Sequence, residues 1–331
     1  MFERIVFFAV VTKIVCESCN PISTINLTVY RTIDSVIENV SVSGTIELKE
    51  DAFHLLLANE SIPEFCENFV RITNELSVLQ IINCSVTNIE PGAFLIDPTL
   101  TLLKISSNLL TSVKKGVFNN VRVKEIDLSK NLLSTIEDEA FDNNTYLEVL
   151  KLNYNAIKAI SPDWFQNSPN VYKLSIIYNE LTQLPPEAFK NLAKHRPLKL
   201  RLSANRISEI SLDSFKFSGN IDILRLNGNK LVALPEEMFL NRTIKVLEVN
   251  TNRLLCFPDA IYNSHVASLQ FLENPHFNCT CLRKVKEFVD KNGVEVMYPS
   301  IICEDRVKDV NLVFNFNKTY EIPLLLPSTG G

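Results

Sequence analysis

The residues that could do chemistry are few and scattered. Histidine occurs only at His54, His195, His265 and His276, too dispersed for a His-based metal or acid–base site, and neither HExxH nor GxSxG is present. Glycine numbers 8 in 331 residues, and neither GxGxxG nor GxxxxGK[ST] occurs, so a phosphate-cradling loop is excluded. The carboxylate pairs Glu137 with Glu139 and Glu236 with Glu237 read as solvated, and His195, in the run KHRP, reads as part of a basic turn. A structural zinc needs about four ligands, usually in CxxC pairs, and the one CxxC here is Cys16 to Cys19. No enzyme, cofactor or metal site is therefore expected. A net charge of -5 argues against a general nucleic-acid binder, which needs a basic footprint.

Two kinds of side chain do point to a compartment. Asn-x-Ser/Thr acceptors stand at Asn26, Asn39, Asn59, Asn83, Asn143, Asn241, Asn278 and Asn317, and eight cysteines accompany them. Residues 1–18 form an apolar leader opened by Arg4, with small residues before Cys19, which predicts a cleaved secretory signal. No later stretch reaches the roughly 18 apolar residues of a membrane span. The product is expected to be secreted. Residues 326–331, LPSTGG, match the LPxTG wall-sorting signal without its following apolar segment and basic tail. They are set aside as a tag or a chance match.

The elements that position everything else are repeats. The lines LTLLKISSN, VKEIDLSKN, LEVLKLNYN, VYKLSIIYN, PLKLRLSAN, IDILRLNGN, IKVLEVNTN and VASLQFLEN end at Asn108, Asn131, Asn155, Asn179, Asn205, Asn229, Asn252 and Asn274. The steps between them are 23, 24, 24, 26, 24, 23 and 22 residues. LSVLQIINC, ending at Cys84, precedes them, and a weaker line falls at Leu55 and Leu57. Alternating apolar residues mark a strand with one buried face. A coil of this length cannot bury that face alone, so neighbours must stack. Each asparagine can donate and accept where the chain bends. Ten residues after each ladder position stand Phe94, Phe118, Phe141, Phe165, Phe189, Phe215, Phe239 and then Tyr262, a column expected to fill the space behind the sheet.

The pattern L-x-x-L-x-L-x-x-N-x-L over residues 76–274, about nine units, resembles the leucine-rich repeat family. The resemblance implies an α/β repeat solenoid, a horseshoe with a parallel concave β-sheet and disulfide-stapled caps at both ends. It implies a β-rich N-terminal cap over 19–75 and a cysteine-containing C-terminal cap over 275–325. NPHFNCTCLRKVKEFVD is similar to the C-terminal caps of extracellular members, and there Cys279–Cys303 is the implied disulfide. The family's fourth cap cysteine is missing, which leaves Cys281 without its usual partner; Cys256, one coil earlier, is the nearby spare. Cys19–Cys66 would staple the N-terminal segment, and Cys84, in a ladder slot, reads as a buried free thiol.

On the concave face the centre differs from the rest. Tyr154 and Tyr178 would be neighbours, with Ile177 beside them and Lys151, Lys173, Arg201 and Arg225 around them. Tyrosine and arginine are favoured at interface hot spots. A locally basic patch on an acidic protein suits an acidic partner surface or a glycan. Asn83, if glycosylated, would bias contacts towards the middle and C-terminal coils. The passage LLLANESIPEFCENFVRITNELSVLQIINCSVTNIEPGAF is similar to mosquito leucine-rich-repeat immune proteins. That resemblance implies a secreted innate-immunity factor binding a protein, complement-like or another repeat protein. Those relatives usually add a coiled coil and further cysteines that pair two chains. The alternative is the ectodomain of a cell-surface receptor or adhesion protein.

Overall fold

The computed structural model describes residues 25–32, 35–42, 46–48, 51–298, 300–305 and 310–316. The leader, Cys19, Asn317 and LPSTGG lie outside the described residues, as do the side chains of Asn39 and Cys303. Every repeat line becomes a short strand of one thirteen-stranded sheet. In strand Val149–Lys151 and just beyond it, Leu150 and Leu152 are fully buried while Lys151 between them faces solvent. The register is set by that alternation. Ile126 lies opposite Leu150, Leu150 opposite Leu174, Leu174 opposite Leu200, Leu200 opposite Leu224 and Leu224 opposite Leu247. The result is a continuous aliphatic row beneath the sheet. At roughly 1.5–3 kcal/mol per fully buried aliphatic side chain, such rows dominate the stability of each coil.

The weak line at Leu55 and Leu57 is a full strand, Ala52–Ala58, parallel to Leu76–Ile82 and in register with it, Leu55 opposite Leu79 and Leu57 opposite Ile81. Ahead of it the chain changes direction. The hairpin Ile25–Thr32 with Ser35–Val42 is antiparallel, and its first strand pairs antiparallel with Ala52–Ala58. The other eleven strands run parallel.

Behind the sheet the aromatic column is continuous over several coils. Ring centroids are 5.9 Å apart from Phe94 to Phe118, 5.7 Å from Phe118 to Phe141 and 5.8 Å from Phe141 to Phe165. Phe65, from the added coil, extends it at the N-terminal end. In the turns that follow the strands runs the asparagine ladder. Asn131, Asn179 and Asn229 are buried; their Oδ1 atoms accept from the N–H groups of Leu110, Ile157 and Ile207 of the preceding coil. Each Nδ2 donates to carbonyls of its own and the preceding coil, as Asn229 does to Leu226 and Leu202. Cys84 fills the same slot with a buried free thiol, and burial pushes its pKa up.

At the C-terminal end the helix Cys279–Asn292 lays Leu282, Val285, Phe288 and Val289 over the last coil. Asn278 caps its start, accepting from the Thr280 N–H at 2.7 Å, and Gly293, at φ 63°, ends it. Only glycine takes that conformation without steric cost. Cys281, on this helix, is bonded to Cys256 with 5.5 Å between their Cα atoms. Cys66 and Cys279 are also disulfide-bonded, to partners whose side chains lie outside the described residues.

Candidate functional site

The concave face is built by two features of each coil: a strand whose odd residues point outwards, and a turn that follows it. At the turn, the residue before each ladder asparagine has positive φ: Ser107 56°, Lys130 58°, Tyr154 56°, Tyr178 54°, Ala204 54°, Gly228 69°, Thr251 55° and Glu273 56°. The conformation aims the backbone N–H sideways into the next coil; Tyr154 donates to the Ile177 carbonyl at 2.8 Å and Tyr178 to that of Ser203 at 3.1 Å. Glycine and asparagine enter this region readily, whereas a bulky side chain pays about 1–2 kcal/mol. The repeat dictates the turn, but nothing in it dictates tyrosine. Two successive coils nonetheless place tyrosine there. Their rings stack at 4.7 Å with planes 14° apart and remain 50% and 54% exposed. Ile177 is half-buried two residues past the strand Lys173–Ser175, its N–H donating to Asn153 Oδ1 at 2.9 Å, which also accepts from the Ser175 hydroxyl at 2.7 Å.

Three residues back along the strands, charge replaces aromatic surface. Two rows run across the sheet. One reads Glu125, Val149, Lys173, Lys199, Ile223; the other reads Asp127, Lys151, Ser175, Arg201, Arg225, Glu248. The outer cations are neutralised. Lys151 pairs with Glu125, and Arg225 Nε lies 3.0 Å from Glu248. The inner ones, Lys173 and Arg201, have no ion-pair partner among the described residues, and the Arg201 Nε is buried without a hydrogen-bond acceptor. Burial pushes the Lys173 ammonium below its ordinary range, and the charges of Arg201 and Lys151 push the same way. Burial likewise lowers Arg201, with Arg225 adding to it.

All seven expected residues therefore share one face, in two groups. Tyr154, Tyr178 and Ile177 lie just beyond the strands, and Lys151, Lys173, Arg201 and Arg225 on them. Sequence reasoning missed Lys199, which stands opposite Lys173, and the ring of Tyr172. The Arg196 guanidinium lies 3.6 Å above that ring and 3.0 Å from Glu148. The signal was the 26-residue step: its extra length forms the loop that carries Arg196 back over Tyr172.

The acceptor asparagines Asn26, Asn59, Asn83, Asn143, Asn241 and Asn278 are all exposed. Asn59 and Asn83 occupy the same positive-φ column as the tyrosines, towards the N-terminal end, with Asn83 Nδ2 donating to Asn59 Oδ1 at 2.8 Å. Among the described residues there is no cluster able to hold a metal ion, and no helix is long and apolar enough to cross a membrane.

The leucine rich repeat family model matches in four overlapping stretches, residues 98–157, 121–176, 145–201 and 169–231. The fold is a leucine-rich repeat solenoid. Among solved structures, the chain is similar to one from the Toll–Spatzle complex of Drosophila at TM-score 0.56, with 21% identity, covering 66% of this chain and 33% of that one. The glycosylated form of that complex gives TM-score 0.55, 20% identity and coverage of 68% and 35%. The solenoid thus spans about a third of the length of those chains. The APL1 leucine-rich repeat domain matches at TM-score 0.47 and 18% identity, over 73% of this chain and 70% of that one. No curated protein sequence matches the chain.

Proposed function

We propose that this solenoid is a secreted recognition module that binds a protein partner on its concave face and acts in insect innate immunity. The observation that carries the binding reading is the exposed Tyr154–Tyr178 stack, two large rings held on a costly backbone conformation with no core to fill. Secretion is supported by the apolar leader, by the exposed glycan acceptors and by the oxidised cysteines Cys66, Cys256, Cys279 and Cys281. We pair the remaining sulfurs as Cys19–Cys66 and Cys279–Cys303. Immunity is supported by the resemblance of the N-terminal passage to mosquito immune proteins. The fold is also shared with Toll, whose complex with Spatzle is a hub of Drosophila development and innate immunity.

The test is a pull-down from insect body fluid with the full chain and with Tyr154→Ala plus Tyr178→Ala. Loss of a captured protein in the double variant, with an unchanged circular dichroism spectrum, is the expected result. Undiminished capture by the folded variant overturns the assignment of the face. The second reading, part of a cell-surface receptor or adhesion protein, draws on the Toll likeness, in which the matched part is a third of a longer chain. The sequence of the complete transcript separates the two.

A further inference from the structure

Building on the docking face assigned above, we propose that the face receives a short acidic segment of the partner protein, its carboxylates over Lys173, Lys199 and Arg201 and an apolar side chain on the Tyr154–Tyr178 rings. The charge pattern carries this. Lys173 and Lys199 stand directly opposite each other on adjacent strands, and Arg201 lies two residues along from Lys199. Adjacent strands are about 4.8 Å apart, so three cations share a patch little wider than one peptide. None of the three has an ion-pair partner among the described residues, although the cations flanking them do. On the strands from Val149–Lys151 to Ile221–Arg225, these three are the cations left without an ion pair among the described residues. Arg201 also presents a buried Nε–H with nothing to accept it. A buried charged donor without an acceptor is unfavourable, and an arriving carboxylate offers the guanidinium one.

The patch is also bounded. Glu125 and Asp127 close its rows on the N-terminal side, and Glu248 closes one on the C-terminal side. From strand Val149–Lys151 to strand Ile221–Arg225 the basic width is about 14 Å. Beyond the centre a long sulfated polysaccharide would meet cations already paired, Lys151 with Glu125 and Arg225 with Glu248; a short segment needs only the centre. Along the strands the tyrosine positions lie about 10 Å beyond the Arg201 row and about 16 Å beyond Lys173 and Lys199, within reach of a short extended segment. They offer an apolar platform that a polysulfate has no group to use. The ligand chemistry is therefore mixed: negative at one end and hydrophobic or aromatic at the other.

The test is a selection from a random peptide library on the immobilised full chain, followed by affinity measurement of synthetic versions of the enriched peptides. Four proteins are compared: the unmodified chain, Lys173→Gln plus Arg201→Gln, the charge-retaining Lys173→Arg plus Arg201→Lys, and Tyr154→Asn plus Tyr178→Asn. Enriched peptides should carry neighbouring Asp or Glu residues beside an apolar or aromatic one. They should lose about tenfold or more in affinity on the Gln variant, keep most of it on the charge-retaining variant, and weaken as salt is raised. Failure to enrich acidic peptides, or equal binding of acidic peptides to the Gln variant, overturns the proposal. If the enriched peptides are not acidic yet still need both tyrosines, the acidic segment is wrong and the docking face stands. If they bind the tyrosine variant unchanged, both readings fall. Tighter binding of a heparin oligosaccharide than of any enriched peptide, abolished in the Gln variant, also overturns the proposal and assigns the patch to a glycan.

Discussion

Tyr154 and Tyr178 stack face to face while each sits on a left-handed backbone. The two effects oppose each other. An aromatic pair contributes roughly 0.5–1.5 kcal/mol beyond its buried area, and the backbone costs a comparable amount for each tyrosine. Replacing both with asparagine, which tolerates that conformation, should leave the unfolding free energy unchanged or raise it by up to about 3 kcal/mol in urea titration. Large destabilisation would make the rings a structural device, contrary to their role in docking.

Asn179 shows the reverse balance. It is buried, accepts from the Ile157 N–H at 3.0 Å and donates to the Leu152 and Ile177 carbonyls at 2.9 and 3.2 Å. Asn179→Ala leaves these backbone groups unpaired out of reach of water. The expected loss is about 2–3 kcal/mol, read by the same titration. A cost near zero would mean that the ladder is dispensable.

Tyr262 ends the aromatic column where the other members are phenylalanine, and its hydroxyl is buried without a hydrogen-bond partner. Burial pushes its pKa up to about 12, with Asp259 adding to the shift. Tyr262→Phe should therefore stabilise the protein or leave it unchanged, within roughly 1–2 kcal/mol. A spectrophotometric titration should show one late-ionising tyrosine that disappears in the variant.

His54 faces Tyr30 across the first antiparallel pair, ring centroids 4.8 Å apart. Burial holds its pKa below the ordinary 6.5, with hydrogen bonding to Gln80 opposing. The folded protein thus takes up this proton at lower pH than the unfolded chain does. The contribution of neutral His54 to stability is complete above pH 6.5 and shrinks as pH falls below it. The melting temperature of the unmodified protein should drop more between pH 7.5 and pH 5 than that of His54→Gln. Equal drops would show that the hairpin docks without regard to this proton.

Where sequence spacing maps onto a repeated physical need, it predicts the structure closely. The leucines, the asparagine ladder and the phenylalanine column each recur because every coil must satisfy the same burial and the same bend. The added coil at Leu55 was faint because the lines before residue 76 carry β-branched residues and no ladder asparagine in its usual place; Leu55 still meets Leu79 in register. The site was only half legible. Which residues share a face follows from alternation, so Tyr154, Tyr178 and Lys173 could be grouped. Which cations remain unpaired depends on side chains one coil apart, such as Glu125 reaching Lys151, and no spacing rule encodes that. The positive-φ column was hidden in plain view: Asn59, Asn83 and Gly228, residues that accept a left-handed backbone, occupy it.

The ladder bonds have a direction. Asn179 reaches back to Ile157, Asn229 to Ile207 and Asn274 to Leu254, each one latching the coil made before its own. A polypeptide emerging from the ribosome therefore exposes every coil before the residue that locks it has been synthesised. Closure trails synthesis by one repeat all along the chain, and an injury to one coil loosens its elder neighbour first.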